Sequence, residues 1–255
     1  MYILGISAFY HDSAAALLKD GELVAASMEE RFSRKKHDNG FPELAIQFCL
    51  DYAGITANDL EYVVFYEKPF LKFERILQTT INTFPRSSGV WREAMMAWLT
   101  DKLWVRSHIA RGVGIPFDKV LFCDHHMSHA ASTYFASPFK DAAVMTVDGV
   151  GEWTTTTLGV GKSSLGEGTD ETPTLELFEE QKFPHSLGLL YSTFTAWLGF
   201  RVNNGEYKVM GMSPYGEPNY IDKIHKVISM DQATGGFKLN MDYFDFHRST
   251  HTSYS

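Results

Sequence analysis

His125 and His129 stand four positions apart in the segment Asp124-His125-His126-Met127-Ser128-His129, directly after the apolar run KVLFC. On a helix, residues at that spacing share a face, and two imidazoles so placed can bind one ion. Imidazole nitrogen suits iron, zinc, nickel and copper alike, so the spacing selects no metal. The segment departs from the H-E-x-x-H pattern, because position 126 is His where a metalloprotease carries its Glu base. One capping His and two bonded to carbonyls would account for the same letters. Local spacing leaves the two readings level.

Asp148 is the second chemical signal. It ends the apolar run AAVMTV and opens Asp148-Gly149-Val150-Gly151-Glu152. A carboxylate at the mouth of a buried strand is well placed for a hard metal or for the phosphate side of a nucleotide. Gly149 and Gly151 let backbone N–H groups approach an anion, with Glu152 beside them. A plain hairpin, whose Asp and Gly only satisfy the turn, explains the same residues. The turn Phe9-Tyr10-His11-Asp12-Ser13 offers His11 as a general base, a role to which imidazole is suited. Asp12 and Ser13 beside it are candidate nucleotide or phosphate contacts. A lone His at a turn is more often structural than catalytic.

Two further stretches carry cations. Residues 28–38 form a dense charge run, ordinarily a solvated face. In a chain of net charge -8, however, its Arg31, Arg34, Lys35 and Lys36 are conspicuous. They could hold a phosphate or carboxylate; Arg31, Lys36 and His37 are the candidate substrate contacts. Lys208, in the Gly-bounded segment NNGEYKVMG, could reach a phosphate, although alone that segment passes as a loop.

The elements that must position these groups alternate in type. Residues 2–26 read as strand (YILGIS), turn, strand (AAALL), turn (KDGE) and strand (LVAAS). Residues 142–161 repeat the plan: strand (AAVMTV), turn (DGVGE), Thr-rich strand (WTTTTLGV). In each, an apolar run delivers an acidic residue into a tight turn, which suggests duplicated half-domains. Helices are predicted over 42–54, ended by Gly54, over 91–110 as one long element, over 126–135 and over 187–198. Residues 61–66 and 119–123 read as strands, residues 199–216 as a Gly-rich loop region, and the polar stretch after Met230 shows no closing element. The alternation predicts an α/β fold.

Composition sets limits. At 44% hydrophobic and 21% charged, the chain matches soluble globular proteins. Its acidity argues against a general nucleic-acid binder, whose affinity would rest on many Lys and Arg. No apolar run approaches the ~20 residues of a membrane span. The first residues lack the basic stretch of a secretory signal, and Cys49 and Cys123 make no disulfide framework. A cytoplasmic location is the expectation.

Together these segments resemble the O-carbamoyltransferase family of nodulation proteins and antibiotic-tailoring enzymes. The resemblance rests on GISAFYHDSAAALLKDG, EERFSRKKHDNGFP, DHHMSHAASTYFASPF, AAVMTVDGVGEWTTTTLG and FRVNNGEYKVMGMSPYG, in family order from the first residues to about Gly216. It implies a duplicated actin-like (ribonuclease H-like) ATPase fold related to the tRNA threonylcarbamoyladenosine enzymes. Residues 1–140 would be the first half-domain and 141–255 the start of a second, incomplete one. It further implies that His125, His129 and Asp148 hold a divalent metal, iron foremost, at nucleotide phosphates, and that the base falls on His11. Carbamoyl phosphate and ATP would give a carbamoyl adenylate, whose carbamoyl group passes to a hydroxyl of a small molecule such as a sugar or antibiotic.

Members of the family are longer; their later part supplies another Asp ligand, nucleotide contacts and a YrdC-like domain that makes the adenylate. The expectation is therefore a front part. It should expose an apolar patch on AAVMTV and GLLYSTFTAWLGF and have a poorly anchored tail after Met230. Three other readings compete. A sugar kinase of the same fold has no use for the paired His. A tRNA threonylcarbamoyltransferase should show a basic surface, which the net acidity opposes. A non-catalytic metal- or nucleotide-binding module would bind without turnover.

Overall fold

The computed structural model describes residues 1–100, 102–162 and 173–249. In chain order the strands are β1 (Tyr2–Ser7), β2 (Ala14–Lys19), β3 (Glu22–Met28), β4 (Leu60–Phe65), β5 (Val120–Phe122), β6 (Asp141–Val147), β7 (Thr154–Lys162), β8 (Thr174–Lys182), β9 (Ile228–Met230) and β10 (Phe237–Leu239). The helices are α1 (Glu30–Ser33), α2 (Glu43–Ala53), α3 (Pro69–Thr83), α4 (Ser88–Thr100), α5 (Val105–Val113), α6 (His125–Tyr134), α7 (Leu187–Trp197), α8 (Glu206–Met212) and α9 (Ile221–Val227). They fall into two compact units, Met1–Phe70 with Met95–Ser128 and Leu71–Ala94 with His129–Ser255.

The first unit is built on the sheet β3-β2-β1-β4-β5, antiparallel through β1 and parallel beyond it. Its hairpin β2–β3 turns on Asp20-Gly21, both at positive φ, the backbone that a tight two-residue turn requires. Leu4 and Ile6 on β1, and Ala15 and Leu17 on β2, alternate into the core. Helix α2 covers β2 and β3 with Ala45, Ile46, Cys49 and Leu50, a helical i, i+3, i+4 stripe. Leu44 and Tyr52 of the same helix lie outside that stripe and are exposed.

Helix α2 begins on a buried carboxylate. Glu29 is 5% exposed, and its two oxygens accept the main-chain N–H groups of Leu44 and Ala45 at 3.1 and 2.8 Å. These are donors that a helix leaves unsatisfied at its start, and a negative charge there also complements the helix dipole. Glu29→Ala is expected to cost about 2–3 kcal/mol, the value of bonds to a charged group plus two stranded donors. The check is a fall in the urea midpoint at unchanged slope; an unmoved midpoint would show that the cap contributes nothing.

The long helix expected over 91–110 is broken. Helix α4 ends at Thr100, Lys102–Trp104 forms a short 3-10 turn, and α5 starts at Val105. The Trp104 indole N–H donates to the Leu99 carbonyl at 3.1 Å, an oxygen that a continuing helix would bond to the amide four residues on.

The second unit repeats the opening meander as β6-β7-β8, all antiparallel, with a separate β9–β10 hairpin. Val144 and Thr146 of β6 face inward, and the Thr146 and Thr157 hydroxyls meet at 2.6 Å across the strands. The opposite face leaves Met145, Val147 and Leu158 exposed, and α7 leaves Tyr191 and Trp197 exposed. Both elements on which an apolar patch was expected therefore expose large apolar side chains.

Two other expectations fail here. Inside the expected loop region 199–216 lies α8, whose first residue, Glu206, accepts the Asn203 N–H at 2.8 Å and so closes the turn before it. The stretch after Met230 is anchored as far as residue 249. Strand β10 pairs with β9, and Phe237, Leu239 and Phe244 are buried, Phe244 against the ring of Phe246. Aromatic side chains spaced among polar residues supply the closing element that average polarity concealed. Residues 250–255 lie outside the described residues. Among those described, no helix is long and apolar enough to cross a membrane.

Candidate metal centre

Helix α6 starts where β5 stops. The Cys123 N–H donates to the Phe65 carbonyl at 2.9 Å, carrying the parallel pairing with β4 one residue past β5. Asp124 receives the Lys68 ammonium at 2.7 Å, and the Ser128 hydroxyl donates to the Tyr66 carbonyl at 2.9 Å. The first turn of α6 is thus fastened to the segment after β4. His125 lies there against the Tyr66 ring, with its Nδ1 3.8 Å from a carboxylate oxygen of Glu67. Both side chains are nearly buried. At that distance the carboxylate is beyond hydrogen-bond reach of the ring and is only an electrostatic neighbour. Glu67 carried no recognisable sequence signal, since only the fold brings it to α6.

His126 is 3% exposed and serves the interior, as its position between the paired residues allows. One turn after His125 on the same helix, His129 is half-exposed, and its Nε2 stands 3.9 Å from Asp148 Oδ2. Strand β6 delivers Asp148: its N–H still pairs with the Thr155 carbonyl at 2.9 Å, and its Oδ1 accepts the Gly149 N–H at 2.7 Å. That intraloop bond fixes the carboxylate and turns Oδ2 toward His129.

The loop after Asp148 is pinned from two sides. The Ser186 hydroxyl caps α7 by accepting the Leu189 N–H at 3.0 Å and donates to the Gly149 carbonyl at 2.6 Å. From α3, Arg75 donates through Nη1 to the Gly151 carbonyl at 2.9 Å and lies over the Phe183 ring. At Gly188 a β-carbon would stand 2.4 Å from the Asp148 carbonyl oxygen, so only glycine permits this approach. Gly188→Ala is therefore expected to cost about 1–3 kcal/mol through overpacking. Thermal melts of wild type and variant measure this cost, and an unchanged melting temperature would contradict the close approach.

His125, His129 and Asp148 make a donor set that could hold a divalent ion. Two ligands each ~2.1 Å from one ion stand about 3.0–3.4 Å apart at octahedral or tetrahedral angles. The 3.9 Å between His129 and Asp148 is somewhat longer than that range, and the ligand atoms of His125, His129 and Asp148 lie within 4.8 Å of one another. With His125 the set is two neutral imidazoles and one carboxylate, a composition found for iron and zinc.

The other residues singled out from the sequence are placed differently. The amides of Gly149 and Gly151 are committed, to Asp148 Oδ1 and to the Thr154 carbonyl. The loop therefore does not present them to an anion as expected. Glu152 is buried beside them. Lys208 sits on α8 with its ammonium over the Phe200 and Tyr207 rings. Ser13 is fully buried, and its hydroxyl donates to the Gly40 carbonyl at 2.6 Å, which makes it a fastener of its turn. Arg31 and Lys36 are exposed, Arg31 4.0 Å from Glu30. His11 and His37 both contact the Asp12 carboxylate.

Residues 2–255 match the family described as Carbamoyltransferase N-terminus. The chain belongs to this family. It is 50% identical over 252 residues to an uncharacterized protein, sll1178, of Synechocystis, covering 96% of this chain and 40% of that protein. It is 34% identical over 240 residues to the nodulation protein NolNO of Sinorhizobium fredii, covering 92% of this chain and 32% of that protein. The chain thus spans less than half the length of these relatives. Among solved structures it is similar to YeaZ from Pseudomonas aeruginosa, at 16% identity and a TM-score of 0.35, covering 72% of this chain and 67% of that one.

Proposed function

We propose that this carbamoyltransferase segment holds the site at which a carbamoyl group passes to a hydroxyl of a small molecule such as a sugar or antibiotic. The donor is carbamoyl adenylate, made from carbamoyl phosphate and ATP by a YrdC-like domain, in the cytoplasm. The fold is the duplicated actin-like ATPase fold of that family, of which β1-β2-β3 and β6-β7-β8 are the repeated openings. The observation that carries the reading is the approach of His129 to Asp148, with His125 one turn earlier on the same helix. A sugar kinase has no use for that arrangement.

His125, His129 and Asp148 would hold a divalent metal, iron(II) by family resemblance. Bound there, the ion would supply Lewis acidity at the donor's oxygens as negative charge develops. His11 takes the proton of the acceptor hydroxyl, and with that proton removed the oxygen attacks the carbamoyl carbon. The test supplies the chain with iron(II), freshly prepared carbamoyl adenylate labelled in the carbamoyl carbon, and glucosamine as a hydroxyl probe. Label transferred to the sugar, and lost on chelation, supports the reading. Metal uptake without transfer would leave a binding module.

A further inference from the structure

Two segments far apart in sequence, the β1–β2 turn and the loop that leads into α2, are laced together in the first unit. The Phe9 N–H donates to the Asn39 carbonyl at 3.0 Å and the Ser13 N–H to the Asp38 carbonyl at 2.7 Å. Ser13 adds its buried hydroxyl bond to Gly40. Asp12 and His37, at φ 49 and 56, occupy the left-handed region that side chains disfavour. The result is a carboxylate between two imidazoles. Asp12 Oδ2 meets His11 Nδ1 at 2.9 Å, and Asp12 Oδ1 meets His37 Nδ1 at 3.0 Å. The cluster is further held by Glu30, whose Oε2 accepts the His37 main-chain N–H at 3.0 Å, and the Tyr10 ring lies 4.6 Å from that of His11.

We propose that Asp12 is a positioning residue for the proton transfer, fixing both His11 and His37 as Nδ1–H tautomers so that Nε2 is the basic nitrogen of each. This rests on the carbamoyl-transfer reading above and assigns Asp12 away from nucleotide phosphate. An ionised carboxylate only accepts, so each Nδ1 that bonds to it must carry the hydrogen. Burial pulls the Asp12 carboxyl upward, but the hydrogen bonds from His37 and His11 and their charge outweigh it and hold it below its usual range. The carboxylate is therefore ionised throughout the neutral range. The other charges at the cluster are Glu30, Arg31 4.0 Å from it, and Asp38 with Lys35 at 3.5 Å.

The step balances without another reactant. The acceptor O–H bond breaks and its proton goes to His11 Nε2. The oxygen bonds to the carbamoyl carbon while the bond from that carbon to the adenylate phosphate oxygen breaks, leaving the electron pair on AMP. The imidazolium that forms keeps its Nδ1–H on Asp12, which stabilises the new charge. His37, held by the other oxygen, stops that carboxylate from rotating.

Asp12→Asn keeps the shape but sets one acceptor oxygen and one amide donor between the two imidazoles. Nitrogen-15 spectra of the 255-residue chain should show His11 and His37 as Nδ1–H forms in the wild type. In Asp12→Asn the ring that faces the amide nitrogen should move to Nε2–H, with His126 and His185 unchanged as controls for folding. In the adenylate assay the same variant should lower kcat by about 10²–10⁴ with little change in KM for the acceptor. His37→Asn should have a smaller effect, about tenfold. An Nε2–H form at His11 in the wild type, or ring nitrogens unmoved by Asp12→Asn, overturns the proposal. Correct tautomers with no transfer in any protein overturn the functional reading and leave the geometry standing. A loss of KM alone in Asp12→Asn makes Asp12 a binding contact and also overturns the positioning role.

Discussion

His129→Ala should abolish stoichiometric uptake of a divalent metal by this chain, and Asp148→Ala should do the same. The two side chains are 3.9 Å apart and carry the open side of the proposed site. His129 is half-exposed, so its removal leaves no cavity and the fold should melt within about 0.5 kcal/mol of wild type, as surface changes do. That makes it a cleaner probe than His125, which is nearly buried against Glu67 and Tyr66. The loss should exceed the roughly 10–100-fold that removal of a ligand's supporting partner costs. Glu67→Gln is expected to fall within that smaller range, because it removes a charge beside His125 and no ligand atom. Anaerobic equilibrium dialysis against iron(II), with zinc as a redox-inert comparison, measures all three variants. Uptake of one equivalent by both His129→Ala and Asp148→Ala would remove the metal centre.

The first turn of each sheet was legible because its signals are local. Apolar alternation, the pair Asp20-Gly21 and the spacing of His125 and His129 each act within a few residues, and the structure retains all three. What escaped depends on partners distant in sequence. Strand β8 reads TLELFEEQK, too acidic to announce itself, yet Leu175 and Leu177 pack on Tyr134 while the glutamates face outward. Helix α3 escaped for the same reason, and with it Arg75. His37 was legible only as part of a charge run; its bond to Asp12 exists because two loops are laced at main-chain groups that carry no letter. The glycines of the Asp148 loop misled in a specific way. Their types suit anion binding, but whether an amide is available depends on which acceptor it already has, and both have one.

Arg75→Met should destabilise the fold and weaken the proposed metal site together. Arg75 is 9% exposed on α3, and its guanidinium both donates to the Gly151 carbonyl and covers the Phe183 ring. Methionine keeps much of the apolar stem and removes the charge. A hydrogen bond from a charged group contributes about 1.5–3 kcal/mol, and a desolvated cation–π contact adds up to about 2 kcal/mol. A loss of about 2–4 kcal/mol is therefore expected, read from urea unfolding of the metal-free chain. Arg75→Lys should fall between, because a lysine keeps the charge but has no planar fork to hold the carbonyl while lying on the ring. The consequence for the site follows from chain continuity. Gly151 stands three residues after Asp148, and Ser186, Arg75 and the loop's own amides hold the segment between them. With Arg75 gone the carboxylate keeps its chemistry and loses its fixed aim, so metal affinity should drop by about 10–100-fold, as for other supporting partners. If Arg75→Met unfolds at the wild-type midpoint and binds metal equally well, α3 is a bystander and the aim of Asp148 is set by β6 and Ser186 alone.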